Sequence, residues 1–482
     1  VAELMRILID EKELPWNEAW EITRASLSFT NHTLVPEGLE KWPVPVLESV
    51  LPRHLQIIYE IDRRFLEETA VAYPGDRERL KRMSLIEEAT PKQLRMANLA
   101  VVGSHSINGV SAIHTGLIKT SLVPDFYQLW PERFNNKTNG ITQRRWLLQA
   151  NPALAELISK TIGDGWITDL SQVRELEKWA ADADFQADFR RIKRSNKERL
   201  ARVMRDSAHV KADPDSLFDI QVKRIHAYKR QLLNVMHIMH EYVSLIEDGR
   251  QPAVPRTYVF AGKAAPGYWA AKQIIKLIHN VGRIINNDPR ASEWMKVAFI
   301  PDYRVSLAEK IIPAADLSEH ISTAGKEASG TSNMKFALNG AVTIGTLDGA
   351  NSEILEEVGA ENIFIFGLKV GEVQAMREQR SYRPWDFYDR DPRVRRVAEA
   401  FRANMFCPHE PDLFAWIYRT ILDEHDAYFH LADLAAYLEA QDKAGAAFND
   451  PTGRVVSQFE FLVQIYQGVQ RQTETLPQAG NT

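Results

Sequence analysis

Apolar residues recur at two different periods along this chain, and the change from one to the other divides it. After Pro52, Leu55, Ile58, Ile61 and Phe65 are spaced by three and four, which predicts a helix with one buried stripe. Up to about residue 139 no strand run stands out, so this part reads as mainly helices and connecting loops and not as a self-sufficient domain. From about residue 215 the pattern becomes strand, loop, helix, repeated. Phe218, Ile220 and Val222 alternate as a strand, and Leu232, Val235, Met239, Tyr242 and Ile246 then mark a helix face. Tyr258 to Gly262 reads as a buried strand, Lys263 to Gly267 as a loop, and an Ile- and Leu-rich helix follows through Ile278. Val297–Ile300, Val342–Gly345 and Ile363–Phe366 are three further strand runs. Strands alternating with helices predict a parallel, doubly wound α/β sheet, whose ligands sit beyond the carboxyl ends of the strands. Beyond about residue 370 the chain reads as helical, with a frayed tail from Pro477 to Thr482.

Composition changes this picture little. A chain of 482 residues is too long for one core and predicts two or three domains. With 45% hydrophobic and 26% charged residues and a net charge of −5, nothing global points to nucleic acid or an anionic membrane. No apolar run approaches the ~20 residues of a membrane span. The single cysteine, Cys407, excludes an internal disulfide and fits a reducing, cytoplasmic setting. The chain starts at Val1, without Met or signal peptide and inside an apparent helix, and is expected to lack an N-terminal portion.

Local chemistry is concentrated in two loops. In Glu327–Gly340, Gly330 lets the backbone approach a ligand closely, and Thr331 is placed to cap a helix whose first N–H groups face an anion. Lys335, four residues on, lies on the same side as Thr331. A phosphate beside a partly desolvated amine suits pyridoxal phosphate; the alternative is a capped helix with a solvated lysine. The second loop, Lys223-Arg224-Ile225-His226-Ala227-Tyr228-Lys229-Arg230, puts four cations and one histidine where a strand ends. In a chain of net negative charge this fits two neighbouring phosphate groups, against the alternative of a solvated helix face. Thr30–Thr33 and Asn135–Gly140 are polar clusters that read first as plain turns, although asparagine side chains also suit sugar hydroxyls. His237 and His240 share a helix face, but with no further ligand arranged around them they read as structural, and no metal is expected.

Six segments carry a resemblance: EASGTSNMKFALNG, QVKRIHAYKRQLLN, AGKAAPGYWAAKQIIKLI, DYRVSLAEKIIPAADLSEHISTAG, FTNHT and NNKTNGITQRRW. Together, and in order from the first residues to about 470, they resemble the α-glucan phosphorylases that act on glycogen, starch and maltodextrin. The resemblance implies a two-lobed glycosyltransferase B-type fold. Residues 1–139 would be the mainly helical end of the N-terminal lobe, and 140–482 a Rossmann-like domain with C-terminal helices. It also implies pyridoxal 5′-phosphate linked to Lys335, and reversible transfer of a terminal α-1,4-linked glucose to inorganic phosphate, giving glucose 1-phosphate. By the same resemblance Gly330 and Thr331 supply backbone donors to the cofactor phosphate, and Lys223 pairs with it. Arg224 and Lys229 hold the substrate phosphate, and Tyr228 lies beside the sugar. Glu327, Ser329, His32 and Asn139 bond glucose hydroxyls, while Trp146 and Tyr303 pack near the cofactor ring. The cofactor's phosphate then exchanges a proton with the substrate phosphate, and water must be excluded to prevent hydrolysis.

Members of that family carry, before the residue matching Val1, a glycine-rich loop, an aspartate-bearing loop and the effector and covalent-regulation sites of some members. The 482 residues are therefore expected to hold the cofactor lobe yet to be inactive alone, and the full-length protein is expected to form a homodimer. Two rival readings are a different pyridoxal enzyme, such as a transaminase, and a non-catalytic glucan-binding module.

Overall fold

The computed structural model describes residues 1–35, 38–424 and 426–450. It divides into two compact units, Val1–Asn139 and Gly140–Thr482; the tail from Pro477 lies outside the described residues.

In the first unit the predicted stripe is the buried face of helix Pro52–Ala72, with Leu55, Ile58, Ile61 and Phe65 all inside. To the mainly helical pattern expected of this part the structure adds strands that no apolar run announces. Six short strands form two sheets: β1 (Ser28–Thr30), β2 (Lys41–Pro43), β3 (Ile86–Glu87), β4 (Gln93–Arg95), β5 (Ser106–Gly109) and β6 (Phe134–Asn136). One sheet is parallel in the order β1-β5-β6, the other antiparallel in the order β2-β4-β3. Strands of two to four residues are too short to display a period, which is why the pattern hid them. The unit also has its own apolar core, centred on Met5, Ile57, Leu85, Val101 and Ile107.

The second unit holds a six-stranded, all-parallel sheet of β7 (Leu217–Val222), β8 (Arg256–Ala261), β9 (Met295–Phe299), β10 (Leu317–His320), β11 (Val342–Gly345) and β12 (Phe364–Ile365). The order across the sheet is β12-β11-β10-β7-β8-β9. Every residue of β7, β8, β10 and β11 is buried, as expected of a parallel sheet covered on both faces. One face packs on helices Gln231–Asp248, Trp269–Asn287, Pro392–Arg402 and His430–Phe448, the other on Pro152–Ile162 and Ala183–Ala208. Helix Gln231–Asp248 is buried all round as far as Leu245, not on one face as its pattern predicts.

Five of the six strands coincide with apolar runs in the sequence; β10 does not. Its Leu317-Ser318-Glu319-His320 reads as polar, yet all four residues are buried. Distant partners make this possible: Gln441 donates to Glu319 Oε1 at 2.6 Å, and Lys223 Nζ lies 3.1 Å from His320 Nδ1. β7 and β10 are neighbours whose connections run off in opposite directions across the sheet, so the gap between their carboxyl ends is the topological switch point.

Candidate functional site at the switch point

Lys223 follows β7 directly, and its side chain turns toward the end of β10. Its Nζ donates to the Glu319 carbonyl at 2.6 Å and sits 3.1 Å from His320 Nδ1. Burial, and next the charge of Lys229, lower the Lys223 amine to about 7. The loop leaving β8 can approach this closely because residue 262 is glycine: a Cβ there would stand 1.9 Å from the Lys223 carbonyl oxygen.

The rest of the basic loop is not a solvated helix face. Tyr228 and Lys229 lie in a short 3-10 turn, Ala227–Lys229. Arg230, at φ +54 and fully buried, donates to the Ile321 carbonyl at 2.7 Å and to Asp433 Oδ2 at 2.6 Å, fastening the loop to the exit of β10 and to helix His430–Phe448. Only Arg224 is exposed. Lys229 forms an ion pair with Glu327 and lies 4.7 Å over the Tyr228 ring, whose hydroxyl donates to the same carboxylate at 3.4 Å. Burial is the largest single influence on the Lys229 ammonium and lowers it, but the charges of Glu327 and Tyr228 and their hydrogen bonds together outweigh it, so the net direction is upward. Burial, then Glu327, pushes the Tyr228 phenol up to about 12.

Glu327 is positioned by a carboxylate that the sequence reading passed over. Asp348, buried just beyond β11, accepts the N–H groups of Gly325 and Glu327 at 2.9 and 2.8 Å and the Ser322 hydroxyl at 2.7 Å. Burial raises its carboxyl to about 6. The only local hint was its Asp-Gly pair, an ordinary turn signal. Ser329 is buried, with its hydroxyl on the Gly330 carbonyl at 3.0 Å, and Gly330 adopts the left-handed φ of +74 that its lack of a side chain permits.

Thr331 occupies the N-cap of helix Ser332–Ala337, but the expected side-chain cap is not made. Its backbone carbonyl instead accepts the Lys335 N–H at 3.3 Å. Lys335 is half-buried in the last turn of that six-residue helix, and burial lowers its amine. Its Nζ stands 4.2 Å from the Trp146 ring centroid. Asn339, unremarked in the sequence reading, locks that pair by donating to the carbonyls of Trp146 (2.8 Å) and Lys335 (2.9 Å). Tyr303, on the loop leaving β9, packs against the apolar cluster that contains Trp146, and burial raises its phenol to about 12.

Lys223, Tyr228, Lys229, Glu327 and Ser329 are thus gathered with Lys335, Gly330, Thr331, Trp146 and Tyr303 in the second unit. His32 and Asn139 belong to the first. There they follow β1 and β6, the parallel strands flanking β5, with Asn139 N–H donating to the Val110 carbonyl at 3.1 Å and His32 exposed. Among the described residues no group of three or more His, Cys, Asp or Glu is placed to hold a metal ion. His237 and His240 are buried, and burial lowers both imidazoles. Nor is any described helix long and apolar enough to cross a membrane.

A family model described as carbohydrate phosphorylase matches residues 1–458. The glycogen phosphorylase of Synechocystis sp. is 51% identical over 450 residues, covering 93% of this chain and 53% of that protein. The muscle forms from Bos taurus and Oryctolagus cuniculus are each 50% identical over 451 residues, covering 94% of this chain and 53% of theirs. The chain spans about half the length of the curated relatives it matches.

Proposed function

The chain belongs to the carbohydrate phosphorylase family, and on that footing we propose that its residues contribute the cofactor-holding part of an α-1,4-glucan phosphorylase, releasing glucose 1-phosphate from a glucan and inorganic phosphate. The observation that carries the reading is the meeting of Lys223, Lys229, Tyr228 and Glu327 at the switch point, in the same unit as a half-buried Lys335 on an aromatic face. We extend the proposal to a two-lobed glycosyltransferase B-type architecture and a homodimer. The buried thiol of Cys407 supports a cytoplasmic setting.

The residues present fit pyridoxal 5′-phosphate. An amine lowered by burial is a better nucleophile toward an aldehyde, and Lys335 is so placed beside Trp146. The Lys223 ammonium retains an N–H beyond the two directed at Glu319 and His320, available to an anion. When bound, the cofactor supplies a phosphate whose second pKa of about 6 lets it give and take a proton near neutrality.

In this reading Lys335 is a tether, and the backbone at Gly330 and Thr331, with Lys223, holds the cofactor's phosphate. Arg224 and Lys229 bind the substrate phosphate and offset the charge of two anions brought close together. Glu327, Ser329 and Tyr228 orient the glucosyl hydroxyls, a role proposed for His32 and Asn139 as well. Lys229 and Glu327, paired with each other in the structure, are exchanged to phosphate and sugar. Trp146 and Tyr303 pack the cofactor side and help exclude water.

Borohydride reduction of the chain incubated with pyridoxal phosphate, followed by peptide mapping, should place the label on Lys335. Label on another lysine overturns the assignment. Phosphate-dependent glucose 1-phosphate formation by the full-length protein, abolished by Lys335→Ala, separates a phosphorylase from other pyridoxal enzymes. Glucan binding without bound cofactor would instead favour a non-catalytic module.

A further inference from the structure

His320 closes β10 and is buried to 7% exposure, but among the described residues only one of its ring nitrogens has a partner. Nδ1 lies 3.1 Å from Lys223 Nζ, whereas Nε2 is enclosed and meets no donor or acceptor among the described residues. The ring also stands edge-on to Phe336, the residue after Lys335, with centroids 6.3 Å apart. The His320 carbonyl accepts Asn351 Nδ2 at 3.2 Å, so the backbone cannot swing the ring away without breaking a buried bond. A buried polar nitrogen left without a partner costs roughly 1–3 kcal/mol, and such groups in folded proteins call for an explanation.

The hydrogen bookkeeping supplies one. An ammonium donates and never accepts, so with Lys223 charged, His320 Nδ1 must carry a lone pair. The neutral ring then bears its hydrogen on Nε2. A doubly protonated ring is opposed by burial and by the charges of Lys223 and Lys229, and Glu327, which faces Lys229, is already engaged by it. With Lys223 charged, the enclosed Nε2 is therefore an N–H donor on a ring whose Nδ1 meets that ammonium.

Resting on the cofactor reading above, we propose that His320 is a further anion-binding residue of this site. Its Nδ1 accepts from Lys223 and fixes that ammonium, and its Nε2–H donates to the phosphate ester of the cofactor. The ligand class it recognises is a phosphate monoester, and its contribution is made to the ester and not to the pyridine ring.

The test compares two ligands that differ only in that group, pyridoxal 5′-phosphate and pyridoxal, titrated onto the cofactor-free 482-residue chain by absorbance. His320→Leu should weaken binding of the phosphate ester by roughly ten- to a hundredfold, the effect of losing a hydrogen bond to a charged group, and leave pyridoxal unchanged. His320→Gln, whose amide can accept from Lys223 and donate onward, should recover most of the loss. Nitrogen-15 NMR of the wild-type chain with the ester bound should show the hydrogen on Nε2. Equal weakening of both ligands by His320→Leu means a merely structural histidine and overturns the proposal, as does no weakening of either, or a hydrogen found on Nδ1. A wild-type chain that binds neither ligand overturns the cofactor reading itself, and the proposal with it. Tight wild-type binding of the ester, matched by His320→Leu, overturns the proposal alone.

Discussion

Replacing Asp433 by alanine isolates the tie that holds the basic loop in place. Arg230 is fully buried, and Asp433, also buried, meets its Nη1 at 2.6 Å. Removing one partner of a buried pair strands the other charge and costs about 3–5 kcal/mol. Here the carbonyls of Ile321, Ser322, Tyr428 and Phe429 still accept from the guanidinium, so the lower end, about 3 kcal/mol, is the expectation. Asp433 Oδ1 also accepts the Leu368 N–H at 2.8 Å, so the damage should reach the segment after β12 as well. Because the chain has two compact units, a single unfolding midpoint is the wrong readout, and amide hydrogen exchange resolved by segment is the right one. Segments 317–323, 366–369 and 428–434 should exchange about a hundredfold faster, with the first unit unchanged. The double variant Arg230→Met with Asp433→Leu should recover much of the protection, since it leaves no charge buried alone. Acceleration of less than about fivefold in all three segments, or a double variant no better than the single, would refute the reasoning.

Two further outcomes are expected. Lys223 carries a folded-state value of about 7, lowered by burial, so between there and the ordinary lysine range the unfolded chain binds more protons than the folded one. Stability of the second unit in the absence of anions should accordingly rise with pH across that window, and segment-resolved hydrogen exchange, corrected for the pH dependence of intrinsic exchange, should show a shallower rise for Lys223→Met; identical slopes would count against the burial of this amine. Gly262→Ala would drive a Cβ to 1.9 Å from the Lys223 carbonyl and force the two loops apart, at a cost of roughly 1–3 kcal/mol read by hydrogen exchange of segments 217–225 and 256–265, and with weaker pyridoxal phosphate binding. Unchanged exchange in those segments and unchanged binding would show that the loops yield freely.

What the sequence revealed and what it hid have the same physical origin. Runs such as Tyr258-Val259-Phe260-Ala261 announce a buried strand because their burial needs no partner beyond apolar neighbours. β10 was silent because the burial of Glu319 and His320 is made acceptable by Gln441 and Lys223, 122 and 97 residues away in the chain. Likewise Lys335 and Gly330 stood out through residue type and spacing, whereas Asp348 and Asn339 act only through backbone groups that folding brings to them. Thr331 shows the converse: its position at a helix start was legible, but its hydroxyl does not do what the position invites. The strands of the first unit escaped because two to four residues cannot express a period.

Strand β10 also constrains anyone who would make this protein more robust. The routine move is to exchange buried polar side chains for apolar ones of similar volume. Consecutive residues of this strand are engaged in unlike directions: the Glu319 carboxylate with helix His430–Phe448, its carbonyl with Lys223, and the His320 ring with Lys223 and Phe336. An apolar strand here would settle more comfortably between its neighbours and would uncouple the scaffold from the chemistry it serves. Hydrophobic idealisation should therefore begin at the outer helices and leave these four residues alone.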